Sequence, residues 1–62
     1  MFEVTVFNKG TQFWLRGTTW AFHAERGDKF ETRELAMQAA KLAEKFMAPA
    51  IRREYRVGQV AG

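Results

Sequence analysis

The sequence predicts an α+β domain in which an antiparallel sheet, with elements in the order βββαβ, is covered on one face by a single helix. Three observations predict it. The first part of the 62 residues alternates apolar and polar residues between glycine-containing turns. The middle carries apolar residues at helical spacing behind a threonine N-cap, and a last alternating run follows Pro49.

The predicted strands of the first half cover residues 2–7, 12–16 and 19–25. Asn8 to Thr11 separates the first two strands, and Gly10 is predicted to supply the positive φ of a tight hairpin turn. Gly17 breaks the second strand. A further turn is predicted at residues 26–28, where Gly27 is again expected at positive φ.

The helix is predicted over residues 32–48, with Thr32 as its N-cap. Pro49 is expected to end it, because proline disfavours the α region at the preceding residue and lacks an N–H. A final strand is predicted over residues 51–57, followed by a loose tail at 58–62. The helix face expected to contact the sheet consists of Leu35, Ala39, Leu42 and Phe46. Further residues beside this face widen the apolar side, and the small size of the alanines among them is expected to let the helix axis lie close to the sheet: Ala36, Ala40, Ala43 and Met47.

The predicted core consists of the inward-facing residues of the predicted strands and helix, with Phe30 from the segment between them. It accounts for most large apolar residues: Phe2, Val4, Val6, Phe13, Leu15, Trp20, Phe22, Phe30, Leu35, Leu42, Phe46, Tyr55 and Val57.

The residues available for chemistry argue against an enzyme. His23 is the one histidine, cysteine is absent, and the glycines form no phosphate-binding pattern. A pairing of His23 with Glu25 is more typical of solvated neighbours than of an acid–base couple. We therefore expect a non-catalytic protein with no catalytic residues, no cofactor and no metal site.

The size, cysteine content and charge of the chain bear on its oligomeric state, its compartment and its class of partner. A chain of 62 residues buries a small core, and without disulfides such chains depend on good packing or on oligomerisation. The absence of cysteine favours a reducing compartment, so we expect a cytoplasmic protein, and no apolar run is long enough to cross a membrane. The net charge of +3 is moderate for a nucleic-acid-binding protein.

The sheet face opposite the helix is the predicted binding surface, because it mixes aromatic rings with cations. Trp14 is central to it, since it falls out of phase with the inward residues beside it. We favour docking to a protein partner, for which exposed Trp and Arg are typical. Single-stranded nucleic acid, with bases stacked on the rings, is the alternative. The predicted partner-binding residues are Phe7, Trp14, Arg16, His23, Arg52 and Arg56.

A homodimer is also consistent with the pattern. The apolar side of the helix is broader than one sheet contact requires, because Ala36, Ala40, Ala43 and Met47 widen it. Either this side or the open sheet face is wide enough to take a second copy.

The stretch GDKFETRELAMQAAKLA, residues 27–43, resembles the strand-to-helix junction of small phage and prophage accessory proteins. In these proteins a Phe closes the hairpin core, a Thr or Ser caps the helix, and an alanine-rich helix follows. The resemblance implies a compact, non-enzymatic protein that occupies a host or phage surface, as inhibitors of bacterial defence systems such as anti-CRISPR proteins do. It transfers no functional residue.

Overall fold

A four-stranded antiparallel sheet with one main helix on one face forms the structure, a computed structural model that describes residues 1–60. The predicted α+β class is confirmed. The strand order is β3-β2-β1-β4, so the first strand is central and the last pairs beside it. The elements are β1 (Phe2–Asn8), β2 (Thr11–Arg16), β3 (Thr19–Ala21), α1 (Arg33–Ala43), α2 (Pro49–Glu54) and β4 (Arg56–Gln59).

The β1–β2 hairpin turns through two residues at positive φ, Lys9 at 53° and Gly10 at 79°. A two-residue turn of this kind matches the twist of the strands it joins, which is why it favours glycine. The prediction for Gly10 is confirmed. The turn fixes the register so that Val6 lies opposite Phe13.

Alternation along the strands was predicted correctly. Val4, Val6 and Leu15 are buried. Val4 and Leu15 pack with the buried alanines of the helix, and Val4 also pairs with Val57 of β4. Strand residues of opposite phase therefore point to the other side, which we call the open face. The open face contains Phe7 and Trp14, as expected.

The third strand is shorter than predicted. It ends at Ala21, and residues Ala24–Arg26 form a 3₁₀ turn that leaves the sheet. Phe22 follows the end of the strand and is exposed, so its assignment to the core was wrong. Gly27 has a φ of −74°, which also contradicts the predicted positive value.

The main helix begins as predicted and faces the sheet with a different side. The Leu35 N–H donates to the Thr32 hydroxyl at 3.1 Å, which confirms the N-cap. The buried helix residues, however, are Ala36, Ala40 and Ala43. Their small side chains let the helix axis approach the sheet closely. The predicted inward residues Leu35, Leu42 and Phe46 are exposed instead. Leu35 and Leu42 each precede a buried alanine, and neighbouring positions point about 100° apart around a helix, so the leucines point to the side of the sheet contact.

The C-terminal third differs most from the prediction. The main helix passes into a 3₁₀ turn at Glu44–Phe46 and ends there, since Met47 is extended. Pro49 then starts α2 at its first turn, a position where its missing N–H costs nothing. The predicted strand at 51–57 is thus a helix up to Glu54.

The tail prediction was wrong for the residues that the structure describes. Gly58 and Gln59 belong to β4, and the Val60 N–H donates to the Met1 carbonyl at 2.9 Å. Residues 61 and 62 lie outside the described part of the chain.

The core itself is small. Val4, Leu15, the three buried alanines and Met47 form its centre. The predicted core members that pack against this centre while half-buried are Phe2, Trp20, Phe30, Tyr55 and Val57.

Candidate interaction surfaces

The first candidate surface is a groove on the open face around Phe7. The Phe7 side chain is 63% exposed and lies on β1 beside Thr5. The groove has a volume of about 620 Å³, and the end of α2 forms its far wall. The aromatic, charged and amide side chains that line the groove are Phe7, Gln12, Arg53, Glu54, Tyr55 and Arg56.

The groove exists because β4 begins late. Its first residue, Arg56, pairs with Thr5, so among the described strands none continues beside Phe7. The Met1 carbonyl accepts from the Val60 N–H, just after β4, and the Phe2 N–H donates to the Phe30 carbonyl on the opposite side of β1. Because strand residues alternate in direction, the backbone groups of Phe7 point toward the side where β4 has not yet begun. The groove therefore contains both the exposed ring of Phe7 and the backbone edge of β1 at Phe7, which β4 does not pair with.

Trp14 does not form the exposed centre that the sequence led us to expect. It is half-buried, because the segment Ala24–Lys29 folds back over it. A Cβ placed on Gly27 would lie 2.5 Å from the Cβ of Trp14, so the Gly27 backbone lies directly against the base of the Trp14 side chain. We call Ala24–Lys29 the cover segment.

Polar contacts hold the cover segment against the sheet. The Asp28 N–H donates to the Leu15 carbonyl at 2.8 Å, and the Gly17 N–H donates to the Asp28 carboxylate at 2.7 Å. The Lys29 ammonium donates to the Ala24 carbonyl at 2.6 Å and lies 3.7 Å from the Glu3 carboxylate. These bonds tie the segment to two strands and explain why Trp14 is enclosed.

The remaining predicted residues lie in three places. Arg56 lies in the groove with Phe7, whereas Arg16 and His23 are exposed at the β3 edge, where they line a shallow depression of about 400 Å³. Arg52 was wrongly placed on a strand. It belongs to α2, and its guanidinium donates to the Met47 carbonyl at 3.4 Å.

Arg53 is the groove arginine that the sequence-based prediction missed. In the predicted strand it fell on the inward side, an unfavourable position for a charged residue. The helical conformation of α2 places it on the groove wall instead. That conflict, together with Pro49 before an Arg-rich stretch, was the available signal for a short helix.

Tyr55 connects the groove wall to the main helix layer. Its hydroxyl donates to the Glu44 carboxylate at 2.6 Å. This hydrogen bond, with smaller contributions from desolvation and from the charge of Glu44, raises the pKa of Tyr55 from 10.0 to about 12. The bond anchors the start of β4, and with it the edge of the groove.

The second candidate surface is on α1 and the 3₁₀ turn after it. Leu35 is 48% exposed, Leu42 74% and Phe46 61%. We call these three residues the helix stripe. Phe22, 67% exposed, is on the same side of the sheet and contacts Phe13 with 5.2 Å between ring centroids. Exposed apolar area of this extent on a small domain is typical of contact surfaces.

Comparison with known proteins gives no relative: no family model, no curated protein and no solved structure matches the chain. Residues 1–60 contain no helix that is long and apolar enough to cross a membrane. The same residues contain no cluster of three or more His, Cys, Asp or Glu side chains suited to a metal ion.

Proposed function

We propose that this protein is a non-catalytic protein-binding module that docks its open sheet face onto a partner. The observation that carries the proposal is the exposed Phe7 ring in a groove beside Arg53 and Arg56. Aromatic residues, Phe among them, and arginine are enriched in protein interfaces, and arginine is also enriched among the few residues that dominate binding energy.

The chemistry of the groove indicates the kind of partner. Two arginines against one glutamate, Glu54, leave the groove positive, in keeping with the net charge of +3. A partner surface with an apolar residue for Phe7 and carboxylates around it fits this arrangement. The resemblance of residues 27–43 to phage accessory proteins extends the proposal to an inhibitor that acts by covering a surface of a bacterial defence complex in the cytoplasm.

The experiment isolates a partner with the wild-type protein and then measures its affinity for variants by calorimetry. Phe7→Ala and Arg56→Glu are each expected to weaken binding at least about tenfold, as for a central interface residue. Phe22→Ala is the matched control, because that ring is equally exposed on the other side of the sheet. Equal affinity of all three variants and the wild type would overturn the proposal.

Single-stranded nucleic acid remains the alternative occupant, since rings and arginines also bind bases and phosphates. Its signature is affinity for a random oligonucleotide that falls linearly with salt on logarithmic axes. An oligonucleotide that binds in this way and loses affinity in Phe7→Ala would replace the protein partner by nucleic acid.

A further inference from the structure

The helix stripe has the spacing of a helix–helix contact. Leu35 and Leu42 are two turns apart, Phe46 follows one turn later, and the small Ala39 lies between the two leucines. Apolar residues in steps of four and three form one continuous line along α1, and Phe46 continues that line in the 3₁₀ turn after it. Ala36, Ala40 and Ala43 already contact the sheet, so this line is additional to the core.

Two contacts show which way the stripe faces. The Arg33 guanidinium donates to the Val57 carbonyl at 3.0 Å, and Glu44 accepts from Tyr55. Arg33 and Glu44 therefore mark the side of the helix that points toward β4, and the stripe residues lie on the opposite side. The stripe therefore faces away from β4, on the side of the β2–β3 hairpin, and no described element covers it.

The charges beside the stripe are ordered along the helix. Glu34, Gln38, Lys41 and Lys45 follow one flank, acidic at the first turn and basic at the end. The Lys45 ammonium lies 5.4 Å from the centroid of the Phe46 ring, which places it directly at the stripe. Within residues 1–60 the one salt bridge is between Lys29 and Glu3, so Glu34 and Lys45 have no ionic partner there.

We propose that the helix stripe is the interface between two copies of this chain, with the two α1 helices packed antiparallel about a two-fold axis. Such an axis brings the same flank of each helix together in reverse order. Leu35 then meets Phe46 of the second copy, and Ala39 meets Leu42, so that large residues lie beside small ones at the centre.

Charge complementarity selects this second copy and this direction. In the antiparallel pair Glu34 of one copy lies opposite Lys45 of the other, and this contact occurs twice. In a parallel pair the two-fold axis runs along the helices and puts this flank of the two copies on opposite sides of the interface, so Glu34 of one copy would not meet Lys45 of the other. Opposite charges at such flanking positions set orientation in helix pairs, and like charges disfavour it.

The size of the chain is consistent with this arrangement. A stable interface needs about 800 Å² from each partner. The described chain exposes 4497 Å², so such an interface would cover less than a fifth of it. The proposal uses the opposite side of the sheet from the Phe7 groove, and a dimer would leave both grooves free.

The experiment is sedimentation equilibrium of the full chain over a range of concentrations, with a charge-reversal cycle. Wild type is expected to dimerise. Glu34→Lys and Lys45→Glu are each expected to weaken dimerisation about tenfold, because two attractive contacts become repulsive. The double variant is expected to recover wild-type association. Glu34 and Lys45 are roughly 16 Å apart along α1 and the 3₁₀ turn that continues it, so recovery requires contact between chains.

Controls separate loss of association from loss of folding. Leu42→Glu is expected to give a folded monomer, since that side chain is mostly exposed, while Met37→Glu, on the other side of the helix, is expected to dimerise as wild type does. A monomeric wild type at its highest soluble concentration would overturn the proposal. So would a double variant that associates no better than the single ones. Partner binding through Phe7 would be unaffected by either result.

Discussion

Replacement of Gly27 by alanine tests the contact between the cover segment and Trp14. The Gly27 backbone, with φ −74° and ψ 151°, is an ordinary extended conformation that alanine adopts freely. The new Cβ would nevertheless lie 2.5 Å from the Trp14 Cβ and 3.3 Å from its Cγ. Carbon atoms pack at about 3.5–4.0 Å, so the segment or the strand must move by about an ångström.

The cost of that movement can be worked out from its parts. Overpacking of a well-packed contact costs about 1–3 kcal/mol. The shift also strains the hydrogen bonds from Asp28 to Leu15 and from Gly17 to Asp28, each worth about 1 kcal/mol. A less flexible unfolded chain returns about 0.4–1 kcal/mol. We expect a net loss of about 2 kcal/mol, a large share of the roughly 3–9 kcal/mol typical of a domain of this size.

The assay is urea denaturation followed by circular dichroism, at one protein concentration for all variants. Two other glycines are matched controls, since an added Cβ meets nothing within 4 Å at either. Gly58→Ala is expected to change stability little. Gly10→Ala, at φ +79°, is expected to cost about 1 kcal/mol from backbone strain alone. A Gly27→Ala protein as stable as Gly58→Ala would refute the close packing of the cover segment.

Two further predictions concern single hydrogen bonds, one that holds the cover segment and one at the edge of the groove. Asp28→Ala is expected to lower the free energy of unfolding by about 1 kcal/mol, because the Gly17 N–H loses its acceptor. Asp28→Asn keeps an acceptor oxygen and is expected to lose less stability. Equal losses for the two variants in urea denaturation would contradict this prediction. The single tyrosine is expected to titrate with a pKa of about 12 by tyrosinate absorbance, and Glu44→Gln should return it toward 10. Since the pKa of Tyr55 is raised in the folded protein, the Tyr55–Glu44 bond stabilises the fold fully below pH 10, and this stabilisation is lost as the pH rises from about 10 through 12. A titration midpoint of Tyr55 near pH 10 in the folded protein would contradict the bond.

The sheet could be predicted from the sequence because its signals are local. Alternation placed Val4, Val6 and Leu15 inside, and the glycine in the first turn set the hairpin. Thr32 identified the helix start for the same reason, since an N-cap bond spans three residues. Each of these features depends on neighbours in the chain and needs no knowledge of the rest of the fold.

The helix orientation could not be predicted in this way. Two apolar lines run along α1, one of large residues and one of alanines, and hydrophobicity alone favours the large residues. The space beneath the helix decides otherwise, because Phe2, Trp20 and Phe30 already fill the layer between helix and sheet. Only small residues then fit where the helix crosses β1, and this depends on residues distant in the chain.

The candidate site was predicted in part, for a related reason. Phe7 and Arg56 were assigned to the open face and do meet in the groove. Trp14 was assigned to the same face correctly, but its exposure depends on the cover segment, whose close approach requires glycine at position 27. The pattern of the strand gives a side chain its direction and says nothing of what folds over it.

The two sides of the sheet therefore have different roles in the proposed arrangement. Large apolar residues that the core does not use lie on the helix side, where they form a line with ordered charges suited to a second copy. On the open face the largest ring, Trp14, is enclosed by the cover segment, and Phe7 is left exposed at the point where β4 is missing. A dimer through the helix stripe would present two such grooves, so a partner with repeated sites would bind it more tightly than a single groove permits.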